Sequence, residues 1–173
     1  MRPETAYILR HWHEAVPRDR IAHLVRDTER AFRRALQLRL AAHRVPFGHW
    51  SFLRILWDAD GLTQKELSLR AGVMEPTTLA AIRAMEGRGL VERRRRPTNR
   101  KNVFVHLTAK GRALEAKLVP LAEETNRVSI AGIDARDIAT LRRALLGMID
   151  NLARDEASAS TGRSPKAKLR SAR

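Results

Sequence analysis

A run of basic side chains from Arg88 to Lys101 is the part of the sequence best suited to binding a charged partner. Seven of these 14 residues are Arg or Lys and Glu92 is the one acid, which gives a formal charge of +6. The seven are Arg88, Arg93, Arg94, Arg95, Arg96, Arg100 and Lys101. A solvated surface usually mixes both signs of charge. A segment of one sign therefore indicates a polyanion, with nucleic acid as the first candidate.

Catalytic and metal-binding patterns are missing from the sequence. The chain has no cysteine, which excludes disulfides and thiolate metal sites. His11, His13 and His23 lie close together, but no two histidines have the H-x-x-x-H spacing of a helical zinc site. The sequence also lacks a Gly-rich phosphate loop and a G-x-S-x-G motif. We therefore expect no enzyme activity, no cofactor and no metal.

Aromatic residues concentrate ahead of the basic run and indicate a small-molecule pocket. Pockets for small molecules are mainly apolar and contain a few placed polar groups. That combination is offered by Trp12, His49, Trp50 and Arg54. We expect an anionic aromatic effector at these residues, and the alternative is that the rings belong only to the core.

Length and composition are typical of one folded domain with a short extension. The chain has 173 residues, of which 43% are hydrophobic, and its net charge is +15 with a sequence pI of about 11.5. No apolar run reaches the roughly 18 residues that cross a bilayer. The first 19 residues contain no apolar signal region. We expect a soluble, cytoplasmic protein that does not act at a membrane.

Helical periodicity organises the first third of the chain. Residues 1–18 contain both charged and apolar side chains and form a leader segment that ends near Pro17. Apolar residues then recur at helical spacing and predict a long amphipathic helix over about 19–44. Pro46 and Gly48 interrupt the pattern, and a more apolar helix follows over 49–58.

The middle of the chain predicts two short helices and a hairpin. Thr63 and Glu66 have the spacing of a capping box, which opens a helix to about residue 70. Gly72 suits a left-handed turn and Pro76 suits the start of the next helix. The inner face of that helix is Thr78, Ala81, Ile82 and Met85. Strands follow over 90–94 and 102–107, joined by a loop over 95–101.

Two more helices and a basic tail complete the pattern. Thr108 caps a helix over about 109–129, in which Pro120 would produce a kink, and a last helix begins near Asp134. Residues 157–173 contain five cations, no acid and almost no large apolar side chain. We expect this tail to be disordered and to add DNA affinity without specificity.

This order of elements is a winged helix-turn-helix, a mainly α fold with a small two-stranded wing. One domain over 19–153 would hold a core at about 49–107, flanked by dimerisation helices at about 19–44 and 109–153. The second helix of the motif fits the DNA major groove, and the wing places cations on phosphates or in the minor groove. We expect Thr77, Thr78 and Arg83 to read bases. Phosphate or minor-groove contacts are expected from Gln64, Lys65, Arg95, Arg96, Asn99, Arg100 and Lys101.

The sequence resembles the MarR family of transcriptional regulators over about residues 19–153. Six segments carry the resemblance by their order and spacing. They are Leu62-Thr63-Gln64-Lys65-Glu66-Leu67, Ala71-Gly72-Val73, Pro76-Thr77-Thr78, Gly89-Leu90-Val91-Glu92-Arg93-Arg94, Asn99-Arg100-Lys101 and Leu107-Thr108-Ala109-Lys110-Gly111-Arg112-Ala113-Leu114. The resemblance implies a homodimeric repressor on a pseudo-palindromic operator in double-stranded DNA. A small aromatic acid, a phenol or a related thioester would release it.

Two positions depart from the family pattern. The family wing usually reads Asp-Arg-Arg where this chain has Asn99-Arg100-Lys101, and Asn lacks the charge that orients the wing arginine. Ala80 stands where the recognition helix often carries Arg. Base contacts are therefore expected either to be fewer than usual or to shift to Thr77 and Arg83, and Ala80 would meet a thymine methyl group.

Dimer contacts are expected from apolar residues on the flanking helices, namely Ile21, Leu24, Leu141, Leu145 and Ile149. Three alternatives stay open at this point. One is a sequence-tolerant architectural DNA-binding protein, and another is an adaptor that uses the winged helix to bind a protein. The third is a metal sensor built on the N-terminal histidines.

Overall fold

A computed structural model describes residues 3–14, 21–96 and 99–161, and the chain divides into two compact units between Ser129 and Ile130. The first unit consists of α1 (Pro3–Glu14), α2 (Ile21–Ala41), α3 (Phe47–Asp58), β1 (Leu62–Thr63), α4 (Gln64–Ala71), α5 (Glu75–Gly87), β2 (Val91–Arg96), β3 (Asn99–Leu107), α6 (Ala109–Ala113) and α7 (Glu115–Ser129). The second contains α8 (Ala135–Thr161). No helix in the described ranges is long and apolar enough to span a membrane.

A helix at the N-terminus was not predicted. Residues 3–14 of the expected leader form α1, where the rings of Tyr7 and His11 stack one turn apart. The indole N–H of Trp12 donates to Asp27 of α2 at 3.2 Å. This contact joins residues 15 apart in sequence, and it fixes α1 against the long helix that follows.

The core of the first unit surrounds α3. Trp50, Phe52, Leu53 and Leu56 of this helix are buried. They belong to one cluster with side chains of α2, α5, α7 and the sheet, among them Leu40, Ile82, Leu118 and Val105. The predicted helices over 19–44 and 49–58 are confirmed as α2 and α3. α2 begins two residues later and ends three residues earlier than predicted, and α3 begins two residues earlier.

The sheet has three antiparallel strands in the order β1-β3-β2. The third strand was not predicted: Leu62 pairs with Val105 and Thr63 with Phe104. β2 and β3 extend through most of the expected loop over 95–101, with an irregular register between Arg95 and Arg96. Residues 97–98 of the predicted loop connect these two strands and are outside the part of the chain that the structure describes.

The helix expected over 109–129 is interrupted at Leu114 and not at Pro120, which lies inside α7. Gly111 explains the tight packing ahead of this break. A Cβ at Gly111 would lie 2.0 Å from the carbonyl oxygen of Leu90, so only glycine fits without a shift of the backbone. The indole of Trp57 donates to the Gly111 carbonyl at 3.0 Å. α6 is therefore held against both the base of the wing and α3.

In the second unit, α8 extends to Thr161. The prediction of disorder from Ala157 is therefore wrong for residues 157–161. The rest of the predicted basic tail, residues 162–173, lies outside the described residues.

Candidate nucleic-acid interface

The turn between α4 and α5 is fixed by local hydrogen bonds. The Thr63 hydroxyl accepts from the Glu66 N–H at 3.2 Å, and the Glu66 carboxylate accepts from the Thr63 N–H at 2.7 Å. Gly72 is left-handed with φ +64°. The Ser68 hydroxyl donates to the Val73 carbonyl at 2.6 Å. These contacts confirm the predicted capping box and turn, and they set how α5 is presented.

Helix α5 has a buried face and an exposed face. Thr77, Ala80 and Arg83 are exposed, whereas Thr78, Ile82 and Met85 are fully buried. The Thr78 hydroxyl donates to the Met74 carbonyl at 3.3 Å inside the protein. Thr78 lies on the buried face of α5, so its side chain cannot reach a DNA groove. The prediction that Thr78 reads bases is therefore wrong.

The two residues expected at the N-terminus of α4 behave differently. Gln64 is half-buried, and its side-chain amide donates to the Glu75 carbonyl at 3.5 Å, which joins the starts of α4 and α5. Lys65 is exposed. Of this pair, Lys65 is the side chain that is open to a phosphate.

Several cations of the basic run have partners inside the protein. Arg93 donates from Nε at 3.0 Å to Glu86 at the end of α5, with Nη2 2.8 Å from the same oxygen. This hydrogen bond lowers the pKa of the Glu86 carboxyl. Arg94 pairs with Glu92, and Arg88 donates to the Arg44 carbonyl at 2.5 Å. These three cations shape the base of the wing.

The remaining cations of the run are those that extend toward its tip. Arg95 is exposed, and its side chain has no hydrogen bond or ion pair with any described residue. The other predicted wing residues have backbone positions in β2 and β3, but their side chains lie outside the described part of the structure. They are Arg96, Asn99, Arg100 and Lys101.

Asp60 joins three elements below the wing, a role that the sequence did not indicate. Its carboxylate accepts from the Gly61 N–H at 2.9 Å, the Leu107 N–H at 2.8 Å and the Arg112 guanidinium at 2.6 Å. Partial burial raises the pKa of Asp60, but these hydrogen bonds together outweigh burial and lower the pKa below its ordinary value. Asp60 thus ties the end of α3 to β3 and α6.

One further residue at the start of α5 was missed. Met74 directly precedes the helix, and 74% of its side chain is exposed. An exposed apolar residue next to Thr77 is suited to contact with a thymine methyl group. The signal that could have identified it is a large apolar side chain directly before the helix, outside the apolar period of α5.

The four residues expected to bind an effector do not line one cavity. Trp50 and Arg54 line two adjoining cavities, of about 470 Å³ and 690 Å³, that also share Phe47 and Val119. Trp50 packs edge-on against Trp57, with ring centroids 5.6 Å apart. Trp12 lines a different cavity, between α1, α2 and α7.

His49 lies outside the lining of these three cavities. Its Nδ1 atom is buried and has no hydrogen-bond partner among the described residues. Burial, and secondly the charge of Arg88, lower the pKa of this imidazole. His49 is therefore held in its neutral form near the end of α5. The described residues contain no group of three or more His, Asp or Glu side chains that could hold a metal ion.

The residues expected at a dimer interface are mostly exposed in the single chain. Ile21 and Leu24 of α2 have exposed fractions of 60% and 42%. Leu141 and Ile149 of α8 have exposed fractions of 52% and 65%, and Leu145 is half-buried. Each unit thus presents apolar surface that its own residues leave uncovered.

The chain is similar to known transcriptional regulators. The MarR family model matches residues 48–103. The HTH-type transcriptional regulator TtmR of Methylorubrum extorquens (strain PA1) is 34% identical over 134 residues, which cover 76% of this chain and 64% of TtmR. The chain thus spans slightly less than two thirds of the length of this relative.

Solved structures share the fold. A MarR-family regulator from Listeria monocytogenes, complexed with a 26mer DNA, superimposes with a TM-score of 0.71 at 22% identity, covering 85% of this chain and 98% of that one. BpsR of Bordetella bronchiseptica, whose DNA binding is regulated by 6-hydroxynicotinic acid, has a TM-score of 0.69 at 22% identity and covers 75% and 98%. These proteins are regulators and not enzymes, in agreement with the expectation from the sequence. They also agree with the winged helix predicted here.

Proposed function

Because this chain belongs to the MarR family, we propose that it is a transcriptional regulator that binds double-stranded DNA through α5 and the wing. The observation that carries the proposal is the exposed face of α5, formed by Thr77, Ala80 and Arg83, next to a hairpin rich in arginine. An α-helix fits the major groove, and a two-stranded ribbon beside it reaches phosphates or the minor groove. The Listeria relative, which has the same fold, was crystallised on DNA.

Some of the cations on this surface are paired within the protein, and others are exposed and could contact DNA. Arg93 is neutralised by Glu86, so it positions the wing against α5. The Arg95 charge has no partner among the described side chains, and Lys65 is exposed at the start of α4. We assign base contacts to Thr77 and Arg83, and backbone contacts to Lys65, Arg95 and the wing residues beyond it.

The regulator would act as a homodimer on a pseudo-palindromic operator. Exposed apolar residues on α2 and α8, such as Leu24 and Ile149, are the surfaces that a second copy would bury. A winged helix-turn-helix reads a short half-site, and two copies related by a twofold axis read two half-sites. Repression would follow from occupancy of the operator.

An aromatic acid is the proposed effector, held at the cavities that Trp50 and Arg54 share. Trp50 supplies an aromatic wall and Arg54 an exposed guanidinium with no partner among the described residues. This combination suits a flat anion. BpsR, with the same fold, responds to 6-hydroxynicotinic acid. Trp12 and His49 are left out of this site because neither lines these cavities.

DNA binding is tested by selecting a duplex from a random pool and measuring its affinity by fluorescence anisotropy at several salt concentrations. A regulator should prefer the selected site over unrelated duplex by about 10³ or more. Equal affinity for both duplexes would refute sequence-specific regulation and favour the architectural alternative. No binding at low salt would refute DNA binding altogether.

Point variants then assign the contacts. Arg83→Ala should weaken selected-site binding by about 1–3 kcal/mol and relax base preference, whereas Arg95→Ala should weaken all duplexes and reduce the salt slope by about 1. Arg127→Ala, which removes an exposed charge from α7, is the matched control and should change neither. Thr78→Val should lower stability and leave base preference unchanged, because Thr78 is buried.

A further inference from the structure

A third cavity, of about 410 Å³, lies between α1, α2 and α7 and is separate from the site of Trp50 and Arg54. Its walls are almost entirely apolar and include Ile8, Phe32 and Ala35. Two more lining residues, Leu9 and Val128, are each about half exposed, at 47% and 56%. The cavity therefore leaves apolar surface that a ligand would cover.

One cation of this cavity has no counter-charge among the side chains that the structure describes. Arg34 lines the cavity and is half-buried, and its guanidinium makes no hydrogen bond or ion pair with any described residue. The other arginine on the lining, Arg39, is engaged with the Ala35 carbonyl at 3.1 Å and with Glu124 at 3.6 Å. A guanidinium held partly out of water gains strongly from a bidentate anion.

The acidic residue of the lining is already satisfied. The Asp27 carboxylate accepts from the indole of Trp12 and lies 3.6 Å and 3.8 Å from the guanidiniums of Arg26 and Arg30. Asp27 is seven residues before Arg34 on the same helix, which separates the two positions by about 10 Å along the axis. An anion at Arg34 is thus not opposed by a bare carboxylate next to it.

From these features we propose that this cavity binds an amphiphilic carboxylate, with its head group on Arg34 and its apolar body between α1, α2 and α7. The volume equals that of about 14 water molecules in the liquid, which is room for a ligand of roughly a dozen non-hydrogen atoms. Decanoate has this size and chemistry. The ligand would bridge α1 to α2 and α7, and so fix the N-terminal helix on the rest of its unit.

The proposal is tested by titrating the full chain with decanoate in a calorimeter. Binding should weaken about tenfold or more in Arg34→Gln, which loses a charge-assisted hydrogen bond. 1-Decanol, which lacks the charge, should bind the unaltered chain similarly weakly. Ala35→Phe, which fills the cavity and keeps Arg34, should abolish binding. Arg127→Gln makes the same change of charge on the exposed surface of α7, outside the lining of this cavity, and should bind decanoate like the unaltered protein.

Several results would overturn the assignment. If decanoate binds Arg34→Gln as tightly as the unaltered chain, or if its binding is lost in Arg54→Gln instead, then the ligand does not bind in this cavity. Equal affinity for decanoate and 1-decanol would refute the role of the arginine. No heat and no change in tryptophan fluorescence on titration would refute the site.

Discussion

Replacement of Asp60 should destabilise the fold far more when the side chain is removed than when only its charge is lost. Its carboxylate accepts hydrogen bonds from Leu107, Gly61 and Arg112 at 2.6–2.9 Å. In Asp60→Ala, the part-buried Leu107 N–H loses this acceptor, at a cost of about 1–3 kcal/mol. The Gly61 N–H keeps a second acceptor, the Val105 carbonyl at 3.1 Å. Loss of the exposed Arg112 pair adds about 0.2–1 kcal/mol, so we expect about 2–3 kcal/mol in total.

Asp60→Asn keeps an acceptor oxygen for the backbone N–H groups and loses only the charge toward Arg112. It should cost about 1 kcal/mol. Arg112→Ala should cost a similar amount, and combining it with Asp60→Asn should add little, since both remove the same interaction. Urea denaturation followed by circular dichroism measures these values, provided that the m value is unchanged.

The pH dependence gives a second test of Asp60. Its pKa is lower in the folded chain than the value of about 3.9 in an unfolded chain. Its stabilising contribution is therefore complete above that unfolded value and is lost as the pH falls through the folded-state pKa. The stability difference between the unaltered chain and Asp60→Asn should be full at pH 7 and shrink below about pH 4. A difference that persists or grows in acid would refute this reasoning, as would an alanine variant that is no less stable than the asparagine variant.

Three further expectations follow from packing and charge. Gly111→Ala should lower the free energy of unfolding by about 3 kcal/mol or more, because its Cβ collides with a backbone carbonyl. Gly147→Ala in α8, whose Cβ meets nothing within 4 Å, should raise the free energy of unfolding by up to about 1 kcal/mol. Thermal or chemical unfolding measures both changes. Glu86→Gln should weaken operator binding. A double-mutant cycle that combines Glu86→Gln with Arg93→Gln should give a coupling free energy of about 0.5 kcal/mol in stability. A coupling of zero would show that this ion pair does not hold the wing. His49 should titrate below 6.5 in an NMR experiment, and stability should fall as the pH drops from 6.5 through that lower value. His49→Gln should flatten this part of the stability profile, and an unchanged profile would contradict the assignment.

Local features of the fold could be predicted from the sequence because their partners are close in the chain. The Thr63 capping box and the Gly72 turn each involve residues within five positions. The Asp60 contacts join residues 47 and 52 positions apart, so no local pattern reveals them. Helix α1 escaped prediction because its Trp12 contact on α2 is also a tertiary one.

The candidate site was predicted in outline, and its errors have a physical cause. Thr78 was assigned both to the inner face of α5 and to DNA contact, and burial decides for the inner face. Basic composition did not distinguish Arg95, which is free of partners among the described residues, from Arg93, which Glu86 neutralises. Such pairing depends on where α5 ends relative to β2. The effector residues Trp12 and Trp50 are similar in type, but the helices that carry them place them in separate cavities.

The residues of β1 belong both to a strand and to a helix cap, so they connect the elements that we propose contact DNA. Thr63 pairs with Phe104 of the wing and caps α4, while Glu86 holds α5 to β2. We therefore expect the wing and α5 to move together on a DNA of altered length and not to adjust separately. One extra base pair inside a half-site would displace the minor-groove contact from the major-groove contact by about 3.4 Å and about 34°. The protein should reject such an insertion more strongly than any single base change, so that it measures distance along the duplex as well as sequence.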